Sequence, residues 1–450
     1  MEATAIRSSL GASGAASASP TDDSGGWQAH RLAANGMNVL HLPMRTAPVA
    51  LLMLTYDVGS RHEADGVRGV SHMLEHMMFK GSAAFDPRRG NGILDLLLPL
   101  GAQANATTWY DRTHYFSLVP RDSLELVAQI EADRMSHLNL DPAQLETEKA
   151  VVLNEFDRHL GDPVELLHQA VWRTAFARHG YGVPVLGVRE DIAGFQRDHL
   201  HAHYRRHYRP DNATLTVLGD IGRDEAWMLA ERHFGAVPAR PQAAFAETPE
   251  PEQEGERRTV VESAGAPGIV MLAYRAPAGV DPDLDALEVL GLVLAGGRAS
   301  RLHRRLIAAG LATEVWPSLA RLRCPGLLQL GAVVHPEREH AQVEQALRAA
   351  LDELRRDGVG DEEVARAKAR IRGGLLTSRD GQLAVAMQLN EAIACGDWRG
   401  YAAAADRIAA VSAADVERVA QRYLSDRGLT VAYLVDASDP RTRHAQAVSA

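Results

Sequence analysis

Residues 72–82 read HMLEHMMFKGS, and the first five of them decide how the rest of the chain is interpreted. They place His72, Glu75 and His76 at spacings of three and four residues, which on an α-helix bring all three to one face. Two imidazoles at i and i+4 can bind one cation, and the carboxylate beside them can take a proton from a water held there. With 19 histidines in 450 residues, a chance HxxEH is expected only about 0.05 times.

The neighbouring residues predict that this segment is helical. Apolar side chains recur at i, i+3, i+4, i+7 and i+8 and form a core-facing stripe opposite the histidines. These side chains are Val70, Met73, Leu74, Met77 and Met78. Gly69 is predicted to precede the helix and Gly81 to end it. The alternative is a pair of core-adjacent histidines satisfied by ordinary hydrogen bonds, and the motif alone leaves both interpretations open.

Length and composition restrict the class of protein. A chain of 450 residues is too long for one core and indicates roughly two to four domains. A net charge of −10 argues against a nucleic-acid partner, which selects for a basic face. Cys324 and Cys395 are the only cysteines, so neither a disulfide framework nor a cysteine-based metal site is expected. No apolar run approaches the length of about 18 residues that a membrane span needs.

Two changes of composition divide the chain. We predict a disordered leader at residues 1–26, an N-terminal zinc-bearing domain at 27–235, a linker at 236–258, a homologous C-terminal domain at 259–437 and a tail at 438–450. The leader lacks the basic and apolar segments of a signal peptide. We therefore expect a soluble protein that is cytoplasmic by default, or periplasmic if a leader has already been removed.

The two domains resemble diverged copies of each other. Residues 50–60 (ALLMLTYDVGS) are similar to residues 268–279 (GIVMLAYRAPAG), and residues 141–158 are similar to residues 360–378. The copies differ at the histidine motif, because residues 287–297 read LEVLGLVLAGG. We therefore expect the metal site in the first half and no metal site in the second.

A third ligand is expected on a helix predicted from Asp141 to about His159. Asp141 is predicted to cap this helix and Gln144 to complete a capping box. Glu148 and Glu155 lie seven residues apart on one face of it, and a zinc with two histidines often takes a carboxylate as third ligand. Such an acid pair is also common on solvated faces, and the residues alone do not choose between the two glutamates.

HMLEHMMFKGS followed by LETEKAVVLNE resembles the M16 (pitrilysin-like) zinc peptidases, inverzincins that include the mitochondrial processing peptidases and their bacterial relatives. In that family a glutamate follows a Val-Val/Ile-Leu stretch on a helix downstream of HxxEH. Glu155 matches its third zinc ligand, and Glu148 matches the supporting acid one heptad earlier. The resemblance implies one Zn²⁺ per chain held by His72, His76 and Glu155, with Glu75 as catalytic base and Glu148 orienting a histidine.

Two further stretches extend the resemblance to nearly the whole chain beyond the leader. Residues 101–116 (GAQANATTWYDRTHYF) resemble the active-site edge strand of the family, which implies that Asn105 and Ala106 bind substrate backbone by β-augmentation. Residues 180–220 resemble the signature that closes the first half. The implied fold is α+β, with two homologous α/β halves, each an antiparallel-rich sheet covered by helices, that are clam-like when paired.

One stretch departs from the family pattern. Active members carry an Arg and a Tyr seven residues apart in a half without zinc, where they stabilise the substrate carbonyl. Residues 302–316 read LHRRLIAAGLATEVW, with Leu306 at the Arg position and Thr313 at the Tyr position. Neither side chain can donate a charge-assisted hydrogen bond. Arg304 and Arg305 lie nearby, but no tyrosine does.

We therefore predict a bacterial zinc metalloendopeptidase subunit that cleaves peptides or unfolded segments. It is expected to form a heterodimer or higher oligomer with a homologous M16-type subunit that supplies the Arg/Tyr pair. The alternatives are a self-sufficient homodimeric peptidase and a non-catalytic subunit like the core proteins of respiratory complexes. Neither nucleic acid nor a membrane span is expected. The metal identity stays open, because a His₂Glu site accepts other divalent ions.

Overall fold

The computed structural model describes residues 26–240 and 245–438. The predicted leader at 1–26 and the predicted tail at 438–450 lie outside the described residues, apart from Gly26 and Ser438. The described chain forms two mixed sheets with helices against them, in agreement with the predicted α+β class.

The first half contains a six-stranded sheet in the order β1-β2-β6-β3-β5-β4. Its strands are β1 (Gln28–Arg31), β2 (Asn38–Pro43), β3 (Val49–Tyr56), β4 (Gln103–Thr108), β5 (Thr113–Pro120) and β6 (Ala213–Gly219). Its helices are α1 (Val70–Met77), α2 (Ile93–Leu97), α3 (Leu124–His137), α4 (Pro142–Leu160), α5 (Pro163–Ala175), α6 (Arg189–Gly194), α7 (Arg197–His207) and α8 (Arg223–Phe234). Only the pair β2–β6 is parallel, so the sheet is mostly antiparallel.

The second half contains a five-stranded sheet in the order β7-β11-β8-β10-β9. Its strands are β7 (Arg257–Ser263), β8 (Ile269–Ala276), β9 (Ala312–Leu319), β10 (Gly326–Val334) and β11 (Leu429–Asp436). Its helices are α9 (Asp283–Ala295), α10 (His340–Asp357), α11 (Asp361–Thr377), α12 (Gln382–Cys395), α13 (Arg399–Ala410) and α14 (Ala413–Tyr423), with a π-helical turn at His303–Ile307.

The predicted internal repeat is confirmed by the strand orders. Strands β3 and β8 contain the two similar segments. Each lies between two antiparallel neighbours: the last strand of its sheet in the chain (β6 or β11) and the strand next to the edge (β5 or β10). The one parallel pair of each sheet is also equivalent, because β2–β6 matches β7–β11. By the same correspondence β4 and β9 are equivalent edge strands, and α4 and α11 are the equivalent long helices.

The halves exchange one helix each. Helix α5 follows the first-half helices in the chain but packs on β7 and β11, where Leu167 and Val171 join a core with Met271 and Leu434. Helix α12 of the second half packs on β3 and β6 of the first sheet. Each sheet therefore has one face that is covered by a helix from the other half of the chain.

The segment before β7 is attached to the first half. The Glu250 carboxylate accepts hydrogen bonds from the backbone N–H groups of Ala177, Arg178 and His179. Glu247 accepts one from the His179 ring at 2.9 Å. The proposed domain boundaries at 235 and 259 therefore enclose a linker whose described residues make specific contacts. No helix among residues 26–240 and 245–438 is long and apolar enough to cross a membrane.

Candidate metal centre and active site

Helix α1 carries the HxxEH motif and is held at its N-terminus by a buried acid. Gly69 precedes it with φ of 96°, a left-handed conformation that glycine adopts without strain. The Glu63 carboxylate accepts hydrogen bonds from Gly69 N–H at 2.6 Å and Ser71 N–H at 2.8 Å, which are unpaired donors of the first turn. The helix ends at Met77, so the predicted end at Gly81 is wrong by one turn.

The apolar stripe of α1 is confirmed as core. All five of its side chains are buried among the β-sheet and the other helices of the first half. The motif residues lie on the opposite side, where His72 is buried and both Glu75 and His76 are partly exposed. The helix therefore anchors the motif through one face and leaves Glu75 and His76 partly accessible on the other.

Helix α4 packs against α1 and brings the two predicted glutamates to the motif. Asp141 caps α4 as predicted, accepting from Ala143 N–H at 2.8 Å. Gln144 does not complete a capping box, because its side-chain amide donates to the Lys80 carbonyl oxygen at 3.3 Å. Glu148 is buried and Glu155 is partly exposed, so the helix places one acid inside the contact with α1 and one at its accessible edge.

One potential ligand atom from each of His72, His76 and Glu155 lies close to the other two. Glu155 Oε2 lies 3.8 Å from His72 Nε2 and 3.6 Å from His76 Nε2. The two imidazole rings are 4.7 Å apart at their centroids. Two imidazole nitrogens and one carboxylate oxygen, all within 4.8 Å of one another, are a donor set that can hold a divalent metal ion.

One ring nitrogen of His76, Nδ1, is hydrogen-bonded to a carboxylate. His76 Nδ1 donates to Glu148 Oε1 at 2.9 Å, which leaves the Nε2 lone pair directed to the point shared with His72 and Glu155. Burial opposes ionisation of Glu148, but hydrogen bonds from His76 and Lys80 outweigh it and lower the pKa of Glu148. Lys80 Nζ lies 2.5 Å from the second oxygen of Glu148. The sequence analysis did not single out Lys80.

His72 has a different environment. Burial lowers the pKa of His72 to about 3, and the neighbouring His76 adds to this effect, so its ring is neutral and able to bind a cation. Its Nδ1 is buried and has no hydrogen-bond partner among the described residues. One histidine of the pair is thus oriented by a carboxylate, and the other is oriented by packing.

Glu75 is held by the edge strand. Thr108 Oγ1 donates to Glu75 Oε2 at 2.6 Å. Burial raises the pKa of Glu75, and the charge of Glu155 adds to this, whereas Thr108 and His76 act in the opposite direction. A carboxylate with a raised pKa is a stronger base than an exposed one. Thr108 is 33 residues from Glu75, and no periodicity links the two.

Strand β4 lies at the edge of the first sheet, as the resemblance implied for residues 101–116. Asn105 is exposed and Ala106 is buried on this strand. The Asn105 side-chain oxygen accepts a hydrogen bond from Ala106 N–H at 2.9 Å. Strand β4 pairs with β5 on one side. On its other side no strand of the described residues pairs with it, so that edge is open.

The second half has neither an Arg nor a Tyr at the two positions where the resemblance places that pair. Leu306 is fully buried in the core of that half, and Thr313 is exposed next to the start of β9. Arg304 and Arg305 are bound to acids of their own half, with Arg304 3.6 Å from Glu363. Neither arginine therefore replaces the missing Arg at the Leu306 position.

Comparison with known families agrees with the site. Residues 39–189 match Insulinase (Peptidase family M16), and residues 194–371 match the Peptidase M16 inactive domain. The chain belongs to peptidase family M16. The histidine motif, the whole of α4 and the edge strand all fall in the first of these regions.

Relatives of known name cover most of this M16 chain. Zinc protease PqqE of Helicobacter pylori is 26% identical over 89% of this chain and 91% of its own length. The beta subunit of the mitochondrial-processing peptidase of Lentinula edodes is 27% identical over 88% of each chain. The crystal structure of a protease from Helicobacter pylori, 26% identical, superposes with a TM-score of 0.84 over 91% of this chain and 99% of the other.

Proposed function

We propose that this M16 chain is the zinc-bearing subunit of an endopeptidase that cleaves peptides or unfolded segments. The observation that carries the proposal is the convergence of His72, His76 and Glu155 on one point beside Glu75. A scaffold gains nothing from directing four ionisable groups to one cleft, because each loses hydration there. Relatives named as zinc proteases support the same activity.

The donor set fits zinc, which His72, His76 and Glu155 would hold. When bound, the metal ion supplies a Lewis acid that polarises the substrate carbonyl and makes water acidic enough to react near neutral pH. Glu148 keeps the His76 ring in the tautomer that presents Nε2, because its oxygen accepts the Nδ1 proton.

Glu75 moves the proton of the reaction. Its Oε2 is occupied by the Thr108 hydroxyl, so Oε1 is the oxygen that takes a proton from the attacking water. The same oxygen then returns the proton to the nitrogen of the leaving amine. Burial raises the pKa of Glu75, which makes its carboxylate a stronger base towards that water.

Strand β4 is the proposed binding site for the peptide. An extended peptide that pairs with the open edge at Asn105 and Ala106 gains main-chain hydrogen bonds with little demand on its sequence. Thr108 ends this strand and touches Glu75, so the edge leads the peptide to the acid that acts on it.

A homologous M16 subunit is proposed to complete the site. Leu306 and Thr313 do not supply the guanidinium and phenol donors that stabilise the carbonyl oxygen of the substrate, so a partner would bring the Arg/Tyr pair. The beta subunit of a mitochondrial-processing peptidase is among the relatives, which supports an arrangement in subunits. The cytoplasmic location, or the periplasmic one if a leader has been removed, is retained as a prediction that cell fractionation tests.

Two alternatives are retained. A homodimer would be self-sufficient if other donors replaced the Arg/Tyr pair. A non-catalytic subunit like the core proteins of respiratory complexes would have the same fold, and the second matched region is itself described as an inactive domain. The intact set of His72, Glu75, His76 and Glu155 favours the peptidase over the second alternative.

The test is hydrolysis of a quenched fluorescent peptide library by the chain alone and by the chain mixed with its partner, each with and without chelator. We expect chelator-sensitive cleavage that requires both chains, and its loss in Glu75→Gln with zinc still bound. Glu146→Gln is the matched control, because Glu146 lies on α4 but pairs with Lys149 away from the site. Activity of the single chain would support the homodimer, and zinc binding without turnover in either mixture would support the non-catalytic subunit.

A further inference from the structure

A cavity of about 450 Å³ lies where the hairpin formed by β4 and β5 meets the second half. Its walls are mostly apolar and come from both halves of the chain. They include Trp109, Leu287, Leu292, Leu319, Leu322 and Leu328. Clefts of about 300–1,000 Å³ are the size that binds drug-sized ligands, so the space is ample for a large amino-acid side chain.

Trp109 connects this cavity to the active site. It directly follows Thr108, the residue that touches Glu75, and its side chain is 42% exposed. Its backbone is fixed on both sides, because Trp109 N–H donates to the Arg112 carbonyl at 2.8 Å and its carbonyl accepts from Ser60 N–H at 3.1 Å. The cavity therefore keeps a fixed position relative to the end of the open strand edge.

The charged groups at the cavity are already paired. Glu288 lies 2.7 Å from Arg321, and Glu391 lies 2.5 Å from Arg112. Each pair is made within the protein, so the cavity presents no uncompensated charge to a ligand. A charged side chain that entered it would lose hydration without gaining a partner.

We propose that this cavity binds one large apolar side chain, aromatic or long aliphatic, of a peptide that pairs with β4. The inference rests on the proposed peptidase function and adds the substrate class to it. A peptide is the chosen occupant because the cavity continues from the open edge of β4. A peptide that pairs with β4 and runs past Thr108 reaches Trp109, which lines the cavity, at the next residue. Main-chain pairing gives affinity without sequence preference, and this cavity selects by side chain.

The binding test uses the full-length Glu75→Gln chain loaded with zinc, which holds a peptide without cleaving it. The probes are variants of one peptide. In each variant a single position is replaced by Phe, Ala or Asp, and every position of the peptide is tested in turn. We expect one position at which Phe binds about tenfold or more tighter than Ala, and Asp weaker than Ala. Equal affinities of the three peptides at every position, or binding of none of them, would overturn the proposal.

Two variants locate the preference. Trp109→Ala removes one wall, and Ala320→Phe fills the cavity from the second half, so both are expected to abolish the Phe preference. Leu98→Ala is the control, because Leu98 is 66% exposed and does not line the cavity. A Phe preference that survives both variants would place the selecting pocket elsewhere.

The outcome is separable from that of the proposed function. Loss of the Phe preference in Trp109→Ala without any cleavage by the wild-type complex would support the cavity and contradict the peptidase. Cleavage by the wild-type complex with the same relative kcat/KM for Phe, Ala and Asp peptides would support the peptidase and contradict the cavity.

Discussion

Lys80 is the residue at the centre for which no role was inferred from the sequence. Its ammonium lies 2.5 Å from Glu148, and the other oxygen of Glu148 accepts from His76 at 2.9 Å. The buried carboxylate therefore bridges a cation and a metal-site histidine. We predict that Lys80→Met weakens zinc binding by roughly tenfold, the lower end of the effect of outer-shell partners. Competition with a chromophoric chelator measures this affinity without any need for activity.

Lys80→Arg serves as the conservative variant. Arginine keeps the positive charge and donates to the same carboxylate, so zinc affinity should recover most of the loss. A structural role of the aliphatic stem alone would give the opposite order, with Met better tolerated than Arg. Equal zinc affinity of wild type and Lys80→Met would show that Glu148 orients His76 without help.

Glu63 makes folding stability depend on pH. Burial raises the pKa of Glu63 to about 7, despite the hydrogen bonds from Gly69 and Ser71, against an ordinary value of 4.5. Since the folded state binds this proton more readily than the unfolded state, the group adds stability as the pH falls from about 8 towards 5. We predict that wild type gains stability relative to Glu63→Gln over that range. Urea unfolding at several pH values measures the difference, and parallel pH profiles would contradict the prediction.

The sequence located some site residues and not others for a physical reason. His72, Glu75 and His76 were accessible because helical spacing alone brings them to one face. Glu155 was chosen over Glu148 only through the family resemblance, since both occupy the same face of α4. Lys80 and Thr108 were missed, because each contacts a residue on a different element, and no spacing along the chain encodes that contact.

At the scale of elements, the repeat was predictable and the helix exchange was not. Strands β3 and β8 share an apolar pattern that the sequence shows directly. The apolar faces of α5 and α12 require burial, but an amphipathic pattern does not tell which sheet provides it. The residues expected to cap or end helices were less reliable than the predicted positions of the helices. Helix α1 ends before Gly81, and the Gln144 side chain donates to the Lys80 carbonyl rather than capping its own helix.

Leu389 tests the importance of the exchanged helix α12. It is fully buried against the first sheet, in a cluster that includes Leu51, Met53 and Leu218. Leu389→Ala leaves a cavity in that contact and should lower the free energy of unfolding by about 2–5 kcal/mol. Leu376→Ala on α11 is the control, because Leu376 is 72% exposed. Urea unfolding of both variants measures these free energies. Equal losses of stability in Leu389→Ala and Leu376→Ala would contradict the prediction.

At the scale of the molecule, the exchange joins two halves that would otherwise meet only at a linker. Polar contacts reinforce it near the active site. Asn390 of α12 accepts from Thr55 at 2.6 Å, and Glu391 pairs with Arg112 beside Trp109. The edge strand that is proposed to bind the peptide is thereby held by the second half, although the proposed metal ligands all belong to the first.

This arrangement predicts that the two halves unfold together. Separating them would expose the apolar faces of α5 and α12 and the sheet faces they cover, so a state with one half folded is strongly disfavoured. We expect a single calorimetric transition of the metal-free chain, with a van't Hoff enthalpy close to the calorimetric one. Two resolved transitions would contradict this expectation. So would a Leu389→Ala variant in which only one part of the unfolding transition moves to a lower temperature. Because α12 belongs to the second half of the chain and packs on the first sheet, Leu389→Ala should instead shift the whole transition.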